Sequence, residues 1–185
     1  MSILYILLAI IVALILYLVF KYNGFITLRT RTQEAWSDID VQLKRRYDLI
    51  PNLVNTVKGY AAHESGVFEK VTEARSRAMQ AGTRAEKGEA ENALSGTLKS
   101  LFAISEAYPD LKANQNFLDL QSQLEGTENR IANERRRFNE AAQAYNTKVL
   151  GFPTNLFARL FGFQKKAYFQ SVPGSEKAPV VNFGK

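Results

Sequence analysis

The chain has 185 residues, with 24 lysines and arginines against 18 aspartates and glutamates, one histidine and no cysteine. The absence of cysteine excludes disulfides, thiol nucleophiles, iron–sulfur clusters and cysteine-based zinc sites. A single histidine excludes the di-iron site of helical bundles, which needs two Glu-x-x-His motifs. The sequence also contains no assembled catalytic set, so we expect a protein that is not an enzyme and has no catalytic, cofactor-binding or metal site.

Residues 3–20 form an uninterrupted run of 18 apolar or aromatic side chains. As a helix this run is about 27 Å long, close to the ~30 Å hydrocarbon core of a bilayer. Its composition favours membrane insertion by about 4–8 kcal/mol. A cleaved signal peptide is disfavoured, because no basic residue precedes the run and no small-x-small site follows it. We predict a membrane anchor and short linker over residues 1–24. The anchor positions are Ile3, Leu7, Ile10, Leu14 and Phe20.

The basic residues that flank the apolar run lie on its C-terminal side only. Lys21, Arg29 and Arg31 follow the run, whereas no lysine or arginine precedes it. Basic flanking residues are retained on the cytoplasmic side of a membrane. We therefore predict a single-pass protein with a short external N-terminus and a cytoplasmic C-terminal domain.

The soluble part begins with a helical pattern from Leu28, in which apolar residues recur every three or four positions. We expect this helix to break near Pro51. Residues 44–46 are basic and suit the negative end of a helix dipole. Asp48 suits the cap of a new helix that has Pro51 in its first turn. The alternative is one long helix that is kinked at Pro51.

Three further helical stretches follow. The second runs to about Gln80, residues 81–88 form a polar loop, and the third covers about residues 90–107. The fourth runs from an Asn114 cap to about Leu150 and has apolar residues at intervals of seven. These inward-facing positions are Phe117, Leu124, Ile131, Phe138 and Tyr145. Residues 170–185 contain two prolines and two glycines, and we expect an extended or disordered tail there.

No alternating pattern typical of strands occurs, so the predicted fold class is all-α. We expect an N-terminal single transmembrane helix followed by an antiparallel up-and-down four-helix bundle with long helices over residues 25–169. A break near Pro51 gives four antiparallel helices and returns residues 152–169 to the bilayer surface. A kink at Pro51 gives only three such helices and leaves that segment far from the bilayer.

Several unusual polar motifs occur inside the predicted helices. They are residues 47–54 (YDLIPNLV), 58–64 (KGYAAHE) and 124–131 (LEGTENRI), with Phe138-Asn139, Tyr145-Asn146, Phe152-Pro153 and Gly162-Phe163. In order and spacing these motifs resemble the LemA family along nearly the whole chain. The resemblance implies a protein of the bacterial inner cell membrane with a short external N-terminus and a four-helix domain. It implies no enzymatic activity.

One histidine and one polar run are the candidate starting points for chemistry. His63 precedes Glu64, but the metalloprotease motif needs a second histidine at position 67, which is valine. We interpret His63 as a structural residue at a helix irregularity. In the fourth helix a mid-helix glycine suggests close approach of a neighbouring helix. We predict a buried or half-buried helix-packing polar layer there, with a ligand site as the alternative. Its residues are Glu125, Gly126, Glu128, Asn129 and Arg130.

Residues 152–169 (FPTNLFARLFGFQKKAYF) combine aromatic, aliphatic and basic side chains. This composition is typical of an amphipathic helix that lies in a membrane interface. The candidate membrane-surface residues are Phe152, Leu156, Phe157, Arg159, Leu160, Phe161, Phe163, Lys165 and Lys166. The alternative is that these rings fill the end of the bundle.

These features lead to two main hypotheses of function, with an undetected enzyme as a remote alternative. The first is a non-enzymatic, membrane-anchored scaffold or adaptor that self-associates or docks another membrane protein at the cytoplasmic face. The second is a protein that shapes or senses the membrane surface through the anchor and residues 152–169. Many basic residues are interleaved with acidic ones, as Arg75 and Arg77 are with Glu69 and Glu73, and no recognition module is present. We therefore expect the lipid bilayer as a partner, and neither a nucleic acid nor a small-molecule substrate.

Overall fold

The computed structural model describes residues 2–169, and all regular secondary structure within them is helical. The predicted tail, residues 170–185, lies outside the described residues. The elements are α1 (Ser2–Lys58), α2 (Ser65–Gln80), α3 (Arg84–Ile104), a 3₁₀ turn (Ser105–Ala107), α4 (Pro109–Lys112), α5 (Gln115–Leu150) and α6 (Thr154–Leu160). The all-α prediction is confirmed for this part of the chain.

The described residues divide into two compact units. The anchor unit comprises residues 2–41 and 130–168, and so contains the first part of α1, the last part of α5 and α6. The hairpin unit comprises residues 42–129 and 169, and so contains the last part of α1, the short helices α2, α3 and α4, and the first part of α5.

The N-terminal part of α1 is long and apolar enough to cross a membrane, and none of its apolar window is buried inside the structure. The five predicted anchor positions are all exposed. The helix then continues without interruption through residues 21–24, where a short linker was predicted. The only strong helix breaker there is Gly24, and one glycine costs about 1 kcal/mol relative to alanine, which is too little to end a long helix.

The predicted break at Pro51 is wrong, because α1 continues through this residue to Lys58. A proline inside a helix has no N–H for the carbonyl four residues earlier, which here belongs to Tyr47. Arg75 of α2 supplies the missing donor, with its Nε 2.8 Å from the Tyr47 carbonyl oxygen. The helix ends instead at Lys58, and residues 59–64 connect it to α2.

The loop after α2 is shorter than predicted, since α3 begins at Arg84 and not near residue 90. Thr83 and Glu86 form a capping box. The Glu86 N–H donates to Thr83 Oγ1 at 3.2 Å, and the Thr83 N–H donates to Glu86 Oε2 at 3.0 Å. The pattern Thr-x-x-Glu is visible in the sequence, but the two glycines around it favoured a loop.

Helix α5 agrees with its prediction at both ends. The Asn114 cap is confirmed, because Asn114 Oδ1 accepts a hydrogen bond from the Phe117 N–H at 3.0 Å. The five side chains predicted to face inward are all buried, none more than 4% exposed. In the anchor unit one of them, Phe138, meets Trp36 of α1 edge to face, with ring centroids 5.7 Å apart.

Candidate membrane-facing site

Local hydrogen bonds position the segment around α6. Before the helix, Thr154 Oγ1 donates to the carbonyl oxygens of Lys148 at 2.5 Å and Gly151 at 2.9 Å. After the helix, Gly162 adopts a φ of +71°, in the left-handed region that glycine occupies without strain. The Phe163 N–H then donates to the Ala158 carbonyl oxygen at 2.8 Å. This is a Schellman ending, and it turns Phe163 back toward the helix.

A buried asparagine holds the chain that follows α6. Asn146 of α5 donates through Nδ2 to the Lys166 carbonyl oxygen, and its Oδ1 accepts from the Lys166 N–H, both at 2.8 Å. Asn146 is 5% exposed. Because both groups of the side-chain amide are paired with one backbone residue, the extended stretch after α6 is fixed against α5.

The inner side of the segment packs on the part of α1 that follows the apolar run. Phe163 and Ala158 join Phe25, Tyr145 and Val149 in one buried cluster. The rings of Phe25 and Phe163 are stacked with centroids 4.8 Å apart. Burial raises the pKa of Tyr145, and the positive charge of Arg29 opposes part of that rise. Within the anchor unit, residues 154–163 therefore lie beside residues 22–26 of α1.

The outer side of the segment is apolar and exposed. Phe152 is 84% exposed, Leu156 60% and Leu160 77%, and these three residues are spaced four apart. Phe161 is 46% exposed and contacts Tyr22, with ring centroids 5.4 Å apart. Arg159 and Lys165 are exposed, whereas Phe157 and Lys166 are half-buried. The alternative that these rings fill the end of the bundle applies to Phe163, which is buried. The membrane-surface interpretation applies to the exposed side chains, and their contact with a membrane stays a prediction.

The chain segregates its charge around this site. Residues 1–33 and 141–169 contain seven of the 24 basic residues and none of the 18 acidic residues. The rest of the chain holds 17 basic and 18 acidic side chains, so its net charge is −1. The whole positive excess of +6 therefore comes from the segments that contain the apolar run, the end of α5 and α6.

The predicted polar layer in α5 is not buried. Glu125, Gly126, Glu128, Asn129 and Arg130 are all exposed. A Cβ atom added to Gly126 would meet nothing within 4 Å, so no helix among residues 2–169 approaches it closely. The inward positions of this turn are held by Leu124 and Thr127, which rotates the polar run outward.

A buried charge network, which the sequence interpretation missed, lies elsewhere in the hairpin unit. Arg46 of α1 is 3% exposed and Glu91 of α3 is 1% exposed. Arg46 Nη1 donates to Glu91 Oε2 at 3.0 Å, and its Nη2 donates to Ser95 Oγ at 2.7 Å. Glu128 Oε2 lies 3.1 Å from the same Nη2, and the Tyr47 hydroxyl donates to Glu91 Oε1. Of the predicted polar layer, only Glu128 joins this network.

The sequence contained a signal for these two charges. Arg46 falls on the apolar stripe of α1, between Leu43 and Ile50, at the same three- and four-residue steps. Glu91 precedes Leu94 and Leu98 in α3 with the same spacing. Opposite charges at core positions of two helices indicate a buried pair. As a run, basic residues 44–46 favour a helix end. That interpretation overlooks the core position of Arg46.

Other features of residues 2–169 are a cavity and the single histidine. A cavity of about 230 Å³ opens beside Arg46 and Ser95, and its walls include Leu98, Phe102 and Leu124. His63 is exposed in the turn before α2. Between residues 2 and 169, no group of three histidine or acidic side chains is arranged to hold a metal ion.

Comparison with known proteins agrees with the sequence motifs. The profile described as the LemA family matches residues 35–183. Magnetosome proteins MamQ 1 and MamQ 2 of Paramagnetospirillum magneticum are each 27% identical over 197 residues, which cover 92% of this chain and 72% of theirs. Protein LemA of Metamycoplasma hominis is 27% identical over 152 residues, which cover 82% of this chain and 69% of its own. Because the family profile matches well over half of this chain, the chain belongs to the LemA family.

Proposed function

We propose that this chain is a non-enzymatic, membrane-anchored helical scaffold or adaptor of the bacterial inner membrane. It self-associates or docks another membrane protein at the cytoplasmic face. The observation that supports this role is the continuity of α1, which runs from the apolar segment into the cores of both units. A partner bound to the helical domain is then held by the same helix that enters the bilayer.

The proposal includes an up-and-down four-helix bundle formed by α1, α2, α3 and α5. Contacts inside the hairpin unit support antiparallel neighbours. Lys58 at the end of α1 lies over the ring of Phe68 at the start of α2, at 5.5 Å. Phe102 at the end of α3 meets Phe117 at the start of α5, with centroids 6.2 Å apart.

The composition and mass of the full-length complex test the scaffold role. The protein is crosslinked in cells and extracted in mild detergent, and the mass and composition of the complex are measured. An uncrosslinked sample is the control. We expect either a defined multimer of this chain or a stoichiometric complex with a second membrane protein. Recovery as a monomer without a partner would contradict the scaffold role.

A second candidate function, shaping or sensing of the membrane surface, is favoured by the exposed apolar group around α6. Leu156 and Leu160 are exposed, so their replacement leaves the core intact. Phe157, by contrast, is half-buried and stacks on Phe161, with centroids 4.8 Å apart. Position 156 is therefore a better place for a fluorescent reporter of the bilayer.

The reporter variant carries Leu156→Trp in a Trp36→Phe background, which removes the only native tryptophan. In vesicles that contain brominated lipids, we expect strong quenching of its fluorescence, because the bromine atoms lie inside the bilayer. The matched control is Leu118→Trp, at an exposed apolar position of the hairpin unit. Equal quenching of the two variants would rule out specific contact of α6 with the membrane.

A further inference from the structure

Two lysine side chains lie near the end of the apolar run. Lys21 follows the run directly, and its ammonium group lies 5.1 Å from the centroid of the Tyr17 ring. Lys148 of α5 lies over the ring of Phe25, also at 5.1 Å. Its ammonium group fills the space beside Gly24, where an added Cβ would collide with it. No carboxylate among residues 2–169 forms an ion pair with either lysine.

The surroundings of Lys148 disfavour its positive charge. Burial lowers the pKa of Lys148, and the nearby charge of Lys21 lowers it further. Neither residues 1–33 nor residues 141–169 contain an acidic side chain that could offset these charges. A ring face satisfies only one side of each ammonium group, and an ammonium has three N–H donors. Both lysines therefore retain donors for an external anion.

Besides the buried ring of Phe25, the apolar side chains near the two lysines are exposed. Phe20 is 75% exposed, and Tyr22 and Phe161 contact each other with large exposed fractions. Such neighbours suit a ligand that has an anionic head and a hydrocarbon body. A free anion would gain nothing from them.

We propose that Lys21 and Lys148 together bind the phosphate of an anionic glycerophospholipid in the leaflet that meets the C-terminal end of the apolar run. The inference rests on the membrane anchoring in the proposed function, since the end of a spanning helix lies at the level of the lipid headgroups. The ring of Phe25 and the missing side chain at Gly24 position Lys148 for this contact.

Native mass spectrometry of the full-length protein in mild detergent tests the site. Phosphatidylglycerol and phosphatidylcholine are added separately, and the bound fraction of each is measured. We expect Lys21→Gln and Lys148→Gln each to lower the ratio of bound phosphatidylglycerol to phosphatidylcholine about fivefold, with a larger loss in the double variant. Lys148→Arg keeps the charge and should retain most of the preference.

Lys58→Gln is the matched control. Lys58 also lies over an aromatic ring, that of Phe68, but Glu69 and Glu73 share its surroundings. An unchanged lipid ratio in the double variant, or an equal loss in Lys58→Gln, would overturn the proposal. Binding of inorganic phosphate as strong as that of the lipid would also overturn it.

The same spectra report the oligomeric mass, which tests the scaffold separately. A monomer that retains its lipid preference would refute self-association but leave the lysine site in place. Loss of the preference in an intact multimer supports the lysine site. The two proposals therefore fail in distinguishable ways.

Discussion

At the scale of single residues, the hairpin unit depends on one buried cation. Arg46 uses both terminal nitrogens of its guanidinium group, one on Glu91 and the other on Ser95 and Glu128. Moving these charges out of water is costly, and their attraction offsets that cost only while the geometry is complete. Loss of one partner should therefore harm the fold more than replacement of both.

We expect Arg46→Ala to lower the free energy of unfolding by about 3–5 kcal/mol, because it leaves the carboxylate of Glu91 buried and unpaired. The double variant Arg46→Met with Glu91→Leu should cost clearly less than Arg46→Ala alone. Urea denaturation in detergent, followed by circular dichroism, measures both. Arg45→Ala, at the exposed neighbouring position, should stay within about 0.5 kcal/mol of wild type. A double variant as unstable as Arg46→Ala would contradict the importance of pairing.

Through Glu86, the stability contributed by the cap of α3 should depend on pH. The backbone N–H and the side chain of Thr83 lower the pKa of Glu86, because both bonds favour the ionised carboxylate. The folded state thus binds fewer protons than the unfolded state between the lowered pKa and the ordinary carboxyl pKa. Stability from this cap is complete above the ordinary value and is lost as the pH falls through the lowered one.

Glu86→Gln should therefore remove part of the rise in unfolding free energy that accompanies an increase in pH through the acidic range. The difference between wild type and variant, measured by denaturation at several pH values from about 3 to 6, isolates this contribution. Glu89→Gln, at an exposed position three residues later, is the control and should follow the wild-type profile. Parallel curves for wild type and Glu86→Gln would show that the capping carboxylate does not contribute.

At the scale of elements, the continuity of α1 depends on a side chain from another helix. Pro51 deprives the Tyr47 carbonyl of its donor inside the helix, and Arg75 of α2 replaces it. A hydrogen bond from a charged group is worth about 1.5–3 kcal/mol. This bond offsets part of the roughly 3 kcal/mol that a proline costs inside a helix.

A double-mutant cycle tests this compensation. Pro51→Ala restores the N–H and should stabilise the protein by about 1–3 kcal/mol. Arg75→Leu should destabilise the protein that has Pro51, and should cost at least 1 kcal/mol less in the Pro51→Ala background. Arg77→Leu, at an exposed position of the same helix, should show no coupling to position 51. Additive effects of Pro51→Ala and Arg75→Leu would contradict the role assigned to Arg75.

The contrast between α5 and α1 explains which features were predictable from the sequence. The ends of α5 are encoded locally, by the Asn114 cap and the seven-residue repeat, and they were predicted correctly. The continuation of α1 past Pro51 is supported by a hydrogen bond from Arg75 to the Tyr47 carbonyl oxygen. These two residues lie 28 positions apart in the chain. No local pattern contains that information.

The candidate sites show the same division. The composition of residues 152–169 identified the segment, but the packing of α6 on α1 decides which rings face outward. Phe163 is buried by the Schellman turn, whereas Phe152 and Leu160 are exposed. The polar run of α5 lies on the outward face of the helix, and residue type alone does not identify that face. A projection of α1 and α3 would have placed Arg46 and Glu91 in the core.

At the scale of the whole molecule, the basic residues beside the apolar run predict how the chain is oriented in a membrane. The apolar run is followed by Lys21, Arg29 and Arg31. Lysine and arginine near a span stay on the cytoplasmic side, whereas charges farther away have little effect on orientation. The basic residues close to the run are thus the ones that should set the topology.

We expect trypsin to digest residues 25–169 in sealed inverted vesicles and to leave them intact in right-side-out vesicles, because inverted vesicles expose the cytoplasmic face. Replacement of Lys21, Arg29 and Arg31 by glutamate should produce a mixture of orientations. The matched control replaces three exposed lysines far from the run, Lys44, Lys70 and Lys99, by glutamate and should keep the wild-type pattern. Survival of the wild-type domain in inverted vesicles would place it outside the cell, where a scaffold for cytoplasmic partners could not act.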